Sequence, residues 1–281
     1  MIKTEGIDDS IDLPPNKVLE KILSRLNGVC ELVEAELAEY QTTGQAHPII
    51  QSKDFLLSVV IPAYNEKATI GRVLSRIAAL PLPTEIIVVD DCSTDGTRQI
   101  LQQLDGIDGI RVILKDKNAG KGAALRTGFE SVSGDYVVIQ DADLEYDPRD
   151  IVNLLPPLLN QTADVVYGSR LLGSDFQHFS WMHRQGNKLL TGLSNLVNGI
   201  ELTDMETCYK AFTREAIDSI QIQQSRFGVE PEITSKLARR RFRFAEVPIS
   251  YHSRSYDEGK KIGIGDLFSA LYCIVRYGIT D

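Results

Sequence analysis

Three acids at alternate positions, Asp141, Asp143 and Glu145, directly follow the apolar run Tyr136-Val137-Val138-Ile139-Gln140. Carboxylates this close repel one another, and a divalent cation is the usual remedy. Mg²⁺ held by one or two such groups together with substrate phosphates is a recurring arrangement. Asp147, just ahead of Pro148, suits a helix cap better than a metal site. A second acidic stretch, Asp90-Asp91-Cys92-Ser93-Thr94-Asp95, also follows an apolar run. There Ser93 or Thr94 can cap the next helix, which leaves Asp91 to accept from a base N–H or a ribose hydroxyl. In a third stretch, Asn118-Ala119-Gly120-Lys121-Gly122, small residues open a helix, so backbone amides and Lys121 can face a phosphate. Its spacing is not that of a Walker loop, and a tight turn explains it equally well.

The elements that must carry these loops are short. Leu57 to Ile61, Glu85 to Asp90, Ile110 to Leu114 and Asp135 to Gln140 are β-rich runs, and helical stretches near Ala68 to Ala79, Thr94 to Leu104 and Lys121 to Val132 separate them. Continuous Val/Ile runs between helices predict strands buried on both faces, hence a Rossmann-like, mostly parallel α/β sheet flanked by helices. Ligands bind such sheets at the carboxyl ends of the strands, where all of these loops lie.

Residues 1–54 read as a helical extension and linker, and 55–281 as the main domain. Leu19, Ile22, Leu26, Val29 and Val33 make one apolar stripe on a helix expected from Asn16 to Tyr40. That stripe either packs on the main domain or meets a partner, a second copy included. The 30 Lys and Arg against 39 Asp and Glu give a net charge of -9, a poor match to a nucleic-acid backbone. Four scattered cysteines with no CxxC pair suggest neither zinc nor disulfides and fit a reducing compartment. The acidic start lacks the basic-then-apolar plan of a signal peptide, and no run approaches the ~20 apolar residues of a spanning helix. A cytoplasmic protein, with at most peripheral membrane contact, is expected.

The ordered segments IPAYNE, VVDDCSTDGT, NAGKGAALRTG and DADLEYDP resemble the family 2 glycosyltransferases of GT-A fold over residues 57–260. Within that family the chain is most similar to the dolichyl-phosphate mannosyltransferase and polyprenyl-phosphate glucosyltransferase group. The narrower likeness lies in Gly168-Ser169-Arg170, in Thr203 through Lys210 (TDMETCYK), in Phe227-Gly228 with Glu230 and Glu232, and in Tyr251 through Ile262. The resemblance implies that Pro62, Ala63, Tyr64 and Glu66 line the base and ribose pocket, with Asp91 reading the base. It makes Asp141-Ala142-Asp143 the DxD motif, binding Mg²⁺ or Mn²⁺ with Glu145. Arg170, with Arg184, would meet an acceptor phosphate, and Arg254 and Lys260 would approach the donor diphosphate or the acceptor.

The implied reaction is an inverting, metal-dependent transfer of a hexose from UDP-glucose or GDP-mannose to a polyprenyl phosphate. An anionic lipid phosphate needs positioning more than deprotonation. A hydroxyl acceptor would need a base, for which Asp204 and Glu206 are the candidates, Asp204 serving equally as a cap. A nucleotidyltransferase would share the acidic sheet edge, but PAYNE lacks the Gly-rich, basic first loop such enzymes use. Near the end, Ile264, Leu267, Phe268, Leu271, Tyr272 and Val275 recur at helical spacing. That helix either packs on the core or lies in a membrane interface. Membrane-anchored relatives continue beyond this point, which brings in a membrane-anchoring partner subunit or a non-lipid acceptor.

Overall fold

The computed structural model describes residues 17–26, 54–107, 109–173, 181–253 and 264–280. Seven strands form one sheet in the order β3-β2-β1-β4-β6-β5-β7: β1 Leu57–Ala63, β2 Thr84–Asp90, β3 Ile110–Leu114, β4 Tyr136–Ile139, β5 Val165–Ser169, β6 Lys210–Thr213 and β7 Phe244–Pro248. The β1–β2, β2–β3, β1–β4 and β5–β7 pairs are parallel. Only β6 runs against its neighbours, with Val138 opposite Ala211 and Val166 opposite the same residue. The predicted strands are all present, with β1 extended to Ala63 and β4 trimmed to four residues.

The helices are α1 Lys17–Arg25, α2 Ile70–Ala78, α3 Thr97–Leu104, α4 Lys121–Phe129, α5 Ile151–Leu159, α6 Trp181–Asn198, α7 Arg214–Asp218, α8 Val229–Arg239 and α9 Ile264–Ile279. Val59, Val60, Ile61, Ile86 to Val89, Val137 to Ile139 and Val165 to Tyr167 are buried, which is why these runs are continuous rather than alternating. Helix α4 lies so close to β1 that a Cβ on Gly128 would overlap Val60. A second, smaller core of Leu190, Met205, Ala270 and Ile274 joins α6 to α9.

The reversal at β6 matters for function. Its start, Lys210, lies at the edge where β4 and β5 end, so the Thr203 to Tyr209 loop arrives beside the acidic loops. The sequence offered no sign of this, because a four-residue strand carries too little periodicity to show direction.

Helix α1 packs on α2 and α3. Ile22 and Leu26 are buried, and Arg25 donates to the carbonyls of Gln103 (2.7 Å) and Asp105 (3.2 Å), satisfying the end of α3. The rest of the helix expected to Tyr40, with Val29 and Val33, lies outside the described residues. Truncating Ile22 to Ala should cost about 2–5 kcal/mol in urea denaturation. An unchanged midpoint would contradict the packing of α1 on this domain.

Candidate active site

The first two loops are stitched together. Asn65, at a left-handed φ of 57°, receives the Thr94 amide on its side chain (2.8 Å) and donates its own amide to Ser93 Oγ (2.9 Å). The Glu66 amide donates to Thr97 Oγ1 (2.8 Å), while the Glu66 carboxylate accepts from Thr69 Oγ1 (2.7 Å). Neither Ser93 nor Thr94 caps α3. Gly96, at φ 110°, holds the cap position, and Asp95 Oδ1 accepts from the Thr97 amide instead (2.9 Å). Pro62 and Glu66 are half-buried, Ala63 is buried, and Tyr64 presents its ring to solvent at the strand edge.

Asp91 is buried, and that burial redirects the third loop. Its carboxylate accepts from Lys115 Nζ (2.7 Å) and from the amides of Ala119 (3.0 Å) and Gly120 (2.6 Å). The amides expected to face a phosphate are therefore used to neutralise a buried acid. Gly120 has φ 94°, and a side chain there would collide with the Ser225 carbonyl, so this turn needs glycine.

Lys121 is the cation of this loop that reaches the acidic edge. Its Nζ lies 2.9 Å from Asp141 Oδ1 and 3.2 Å from Glu230 Oε1, and Glu230 pairs on its other oxygen with the fully buried Lys210. Burial alone would raise the Asp141 carboxyl, but the Lys121 ammonium outweighs it and holds the group below the usual carboxylate range. Leu144, at φ 60°, turns the chain sharply between Asp143 and Glu145, and Asp143 Oδ1 accepts from the Glu145 amide (3.0 Å). A left-handed leucine costs about 1–2 kcal/mol, strain of the kind that collects at functional sites. Ala142 is buried between the two aspartates, and Asp147 caps the 3₁₀ turn Pro148–Asp150 as expected.

On the far side of β4, Arg170 and Asp204 form a two-pronged ion pair, Nε to Oδ2 at 2.7 Å and Nη2 to Oδ1 at 2.8 Å, with Asn187 donating to Oδ1 (2.8 Å). Burial opposes ionisation of Asp204, but the guanidinium lowers its pKa below the ordinary value. Asp204 also accepts from the Arg170 backbone amide (3.0 Å), so it serves as the structural cap of this turn while its carboxylate holds the Arg170 side chain. Beside this pair opens a cavity of about 390 Å³ lined by Leu171, Leu172, Arg184, Lys188, Thr191, Gly192, Asn195, Leu202 and Thr203. Arg184 and Lys188, one helical turn apart on α6, supply its positive charge. Lys188 was not singled out from sequence, since a lysine on an amphipathic helix is ordinarily a solvated one. Arg254 and Lys260 lie outside the described residues.

The glycosyl transferase family 2 model matches residues 58–221. The chain belongs to glycosyl transferase family 2. As a glycosyltransferase it is 31% identical, over 226 residues, to undecaprenyl-phosphate 4-deoxy-4-formamido-L-arabinose transferase of Aeromonas hydrophila subsp. hydrophila, covering 78% of this chain and 67% of that protein. It is 30% identical to dolichol-phosphate mannosyltransferase of Pyrococcus furiosus over 212 residues, 74% of this chain and 59% of that one. The chain thus spans between 59% and 67% of the length of these relatives. Glucosyl-3-phosphoglycerate synthase of Mycobacterium tuberculosis, solved with UDP, superimposes with a TM-score of 0.63 at 24% identity over 84% of this chain and 85% of that one. The fold is GT-A.

The donor set of this glycosyltransferase fits a hard divalent ion. Asp141, Asp143 and Glu145 offer only oxygen, which suits Mg²⁺ or Mn²⁺. Among the described residues no three His, Cys, Asp or Glu side chains form a ready-made metal cage. An ion on this loop would therefore complete its shell with substrate phosphates and water.

Glu206, in the loop before β6, is half-buried within the field of Glu230, Lys210, Arg170 and Asp204. Burial first, then the Glu230 charge, raise its pKa to about 7. Between 4.5, its ordinary value, and about 7 the folded chain binds more protons than the unfolded one, so this group's contribution to stability falls as pH rises. The slope is at most about 1.4 kcal/mol per pH unit. Glu206→Gln should accordingly gain stability relative to wild type between pH 5 and pH 7 in urea denaturation. Parallel pH dependences for the two proteins would contradict the raised pKa.

Proposed function

We propose that this glycosyltransferase moves a hexose from a nucleotide sugar, UDP-glucose or GDP-mannose, to a polyprenyl phosphate, with inversion at the anomeric carbon. The observation that carries the reading is the Arg184–Lys188 cavity, a basic, partly apolar recess beside the Arg170–Asp204 pair at the same sheet edge as the acidic loop. The two relatives named for undecaprenyl phosphate and dolichol phosphate support the acceptor class.

In this reading the first two loops bind the nucleoside, with Tyr64 exposed beside the base pocket. Asp141 and Asp143, with Glu145, hold a Mg²⁺ or Mn²⁺ ion, which when bound supplies charge stabilisation for the departing nucleoside diphosphate. Lys121 adds a cation at the same oxygens. Arg184 and Lys188 grip the acceptor phosphate, whose oxygen is already anionic and attacks in line. The Arg170–Asp204 pair braces the chain beside Leu171 and Thr203 of the cavity lining, and no general base is required.

A lipid acceptor also requires the enzyme to reach a bilayer, here in a peripheral role at the cytoplasmic face. No helix among the described residues is long and apolar enough to cross a membrane. On α9, Leu267 and Leu271 turn inward to the small core, while Phe268, Tyr272, Val275 and Ile279 form an exposed apolar stripe, with Leu189 and Leu196 exposed on the adjoining α6. The inward face meets the packing expectation, and the outward stripe is the face this reading gives to the membrane interface. A hydroxyl acceptor remains the second reading, favoured by Glu206, whose pKa near 7 suits a general base.

Purified protein with Mn²⁺ or Mg²⁺, each donor and a short-chain polyprenyl phosphate should yield a glycolipid. Asp143→Ala should abolish transfer with the fold intact. The Arg184→Ala/Lys188→Ala double variant should raise acceptor KM roughly ten- to a hundredfold with donor KM unchanged. Donor hydrolysis without lipid product, lost in Glu206→Gln, would favour the hydroxyl acceptor instead.

A further inference from the structure

The segment after β7 contains Tyr251, to which the mechanism above assigns no task. Its ring is buried, 5.1 Å from Tyr146 in an edge-on contact and 5.2 Å beneath the Arg170 guanidinium. Its hydroxyl donates to Glu145 Oε2 at 2.7 Å. The neighbouring backbone is anchored to the acidic loop as well. The His252 amide donates to the Glu145 carbonyl (2.9 Å), and Ser250 donates from its amide (2.7 Å) and its hydroxyl (2.5 Å) to Asp150 Oδ2.

One side chain therefore touches both halves of the site. Glu145 stands on the donor side, in the loop assigned to the divalent ion, and Arg170 stands on the acceptor side, next in the chain to Leu171 of the cavity lining. A tyrosine can seat a cation on its ring face and donate from its hydroxyl at once, which is what joining a guanidinium to a carboxylate requires.

We infer that Tyr251 is a positioning residue, its ring seating Arg170 and its hydroxyl holding Glu145 so that the donor-side carboxylate and the acceptor-side pair are held in one geometry. The inference rests on the acceptor reading above. Phenylalanine keeps the ring against Tyr146 and Arg170 and removes only the bond to Glu145, whereas leucine removes the ring face under Arg170 as well, so the two variants separate the arms.

Mn²⁺ binding in the presence of UDP, read from the free-ion EPR signal, tests the donor arm without turnover. Tyr251→Phe should weaken Mn²⁺ binding roughly three- to tenfold, and the same change made in Glu145→Gln should add nothing further. Acceptor KM at saturating Mn²⁺ should rise several-fold in Tyr251→Leu and stay near wild type in Tyr251→Phe, with the thermal midpoint of Tyr251→Phe near that of wild type. Unchanged Mn²⁺ affinity in Tyr251→Phe, additive losses in the double variant, or an unchanged acceptor KM in Tyr251→Leu would overturn the inference. A wild-type enzyme that transfers nothing to polyprenyl phosphate would defeat the acceptor reading, while the EPR experiment would still decide whether Tyr251 acts through Glu145.

Discussion

A carboxylate at the end of a buried strand has to find a cation or a set of amides, because stripping an ion of water costs several kcal/mol even after the protein relaxes around it. This requirement shapes the whole carboxyl edge of the sheet. Asp90 is met by Arg98, Asp91 by Lys115 and two amides of the third loop, and Asp141 by Lys121. Lys121 in turn leads through Glu230 to Lys210, and Asp204 is clamped by Arg170. Each loop is placed by the charge it must neutralise, so loops far apart in sequence are fixed relative to one another before any substrate arrives. That is the preorganisation a group-transfer site needs.

Topology decides which loops share the edge. With β1 to β4 parallel, four loops leave at one end; the reversed β6 then delivers a fifth, Thr203 to Tyr209, from the opposite direction. Asp204 and Glu206 enter the site by that route. Helix α6, packed on α9 through Leu190, Met205, Ala270 and Ile274, carries the basic cavity on one side and borders the exposed apolar stripe on the other. A basic recess and an apolar surface on one pair of helices suit the amphipathic phosphate acceptor proposed above.

Much of this was legible in the residues. The alternation of Val/Ile runs with helical stretches pointed to the sheet, and the acids at strand ends do lie together at its carboxyl edge. The failures have a common cause in long-range pairing. Asp95 rather than Ser93 or Thr94 serves α3 because Gly96 occupies the cap and the first loop engages both hydroxyl residues. Arg170 looked available for a phosphate because its partner lies 34 positions away, and the bond from Tyr251 to Glu145 spans 106. Local spacing carries no information about such partners. The reach of Lys188 into the cavity was hidden for the same reason, since it depends on the packing of α6 against the Thr203 loop.

The central claim is that the acidic loop and the first two loops together form a metal-dependent nucleotide-diphosphate site. Calorimetric titration of the protein with UDP and with GDP, with and without Mn²⁺, tests it without any assumption about the acceptor. The account predicts binding of one nucleotide that strengthens roughly tenfold or more with Mn²⁺ and loses that gain in Asp141→Asn/Asp143→Asn. Binding indifferent to Mn²⁺, or a gain that survives both substitutions, would contradict it.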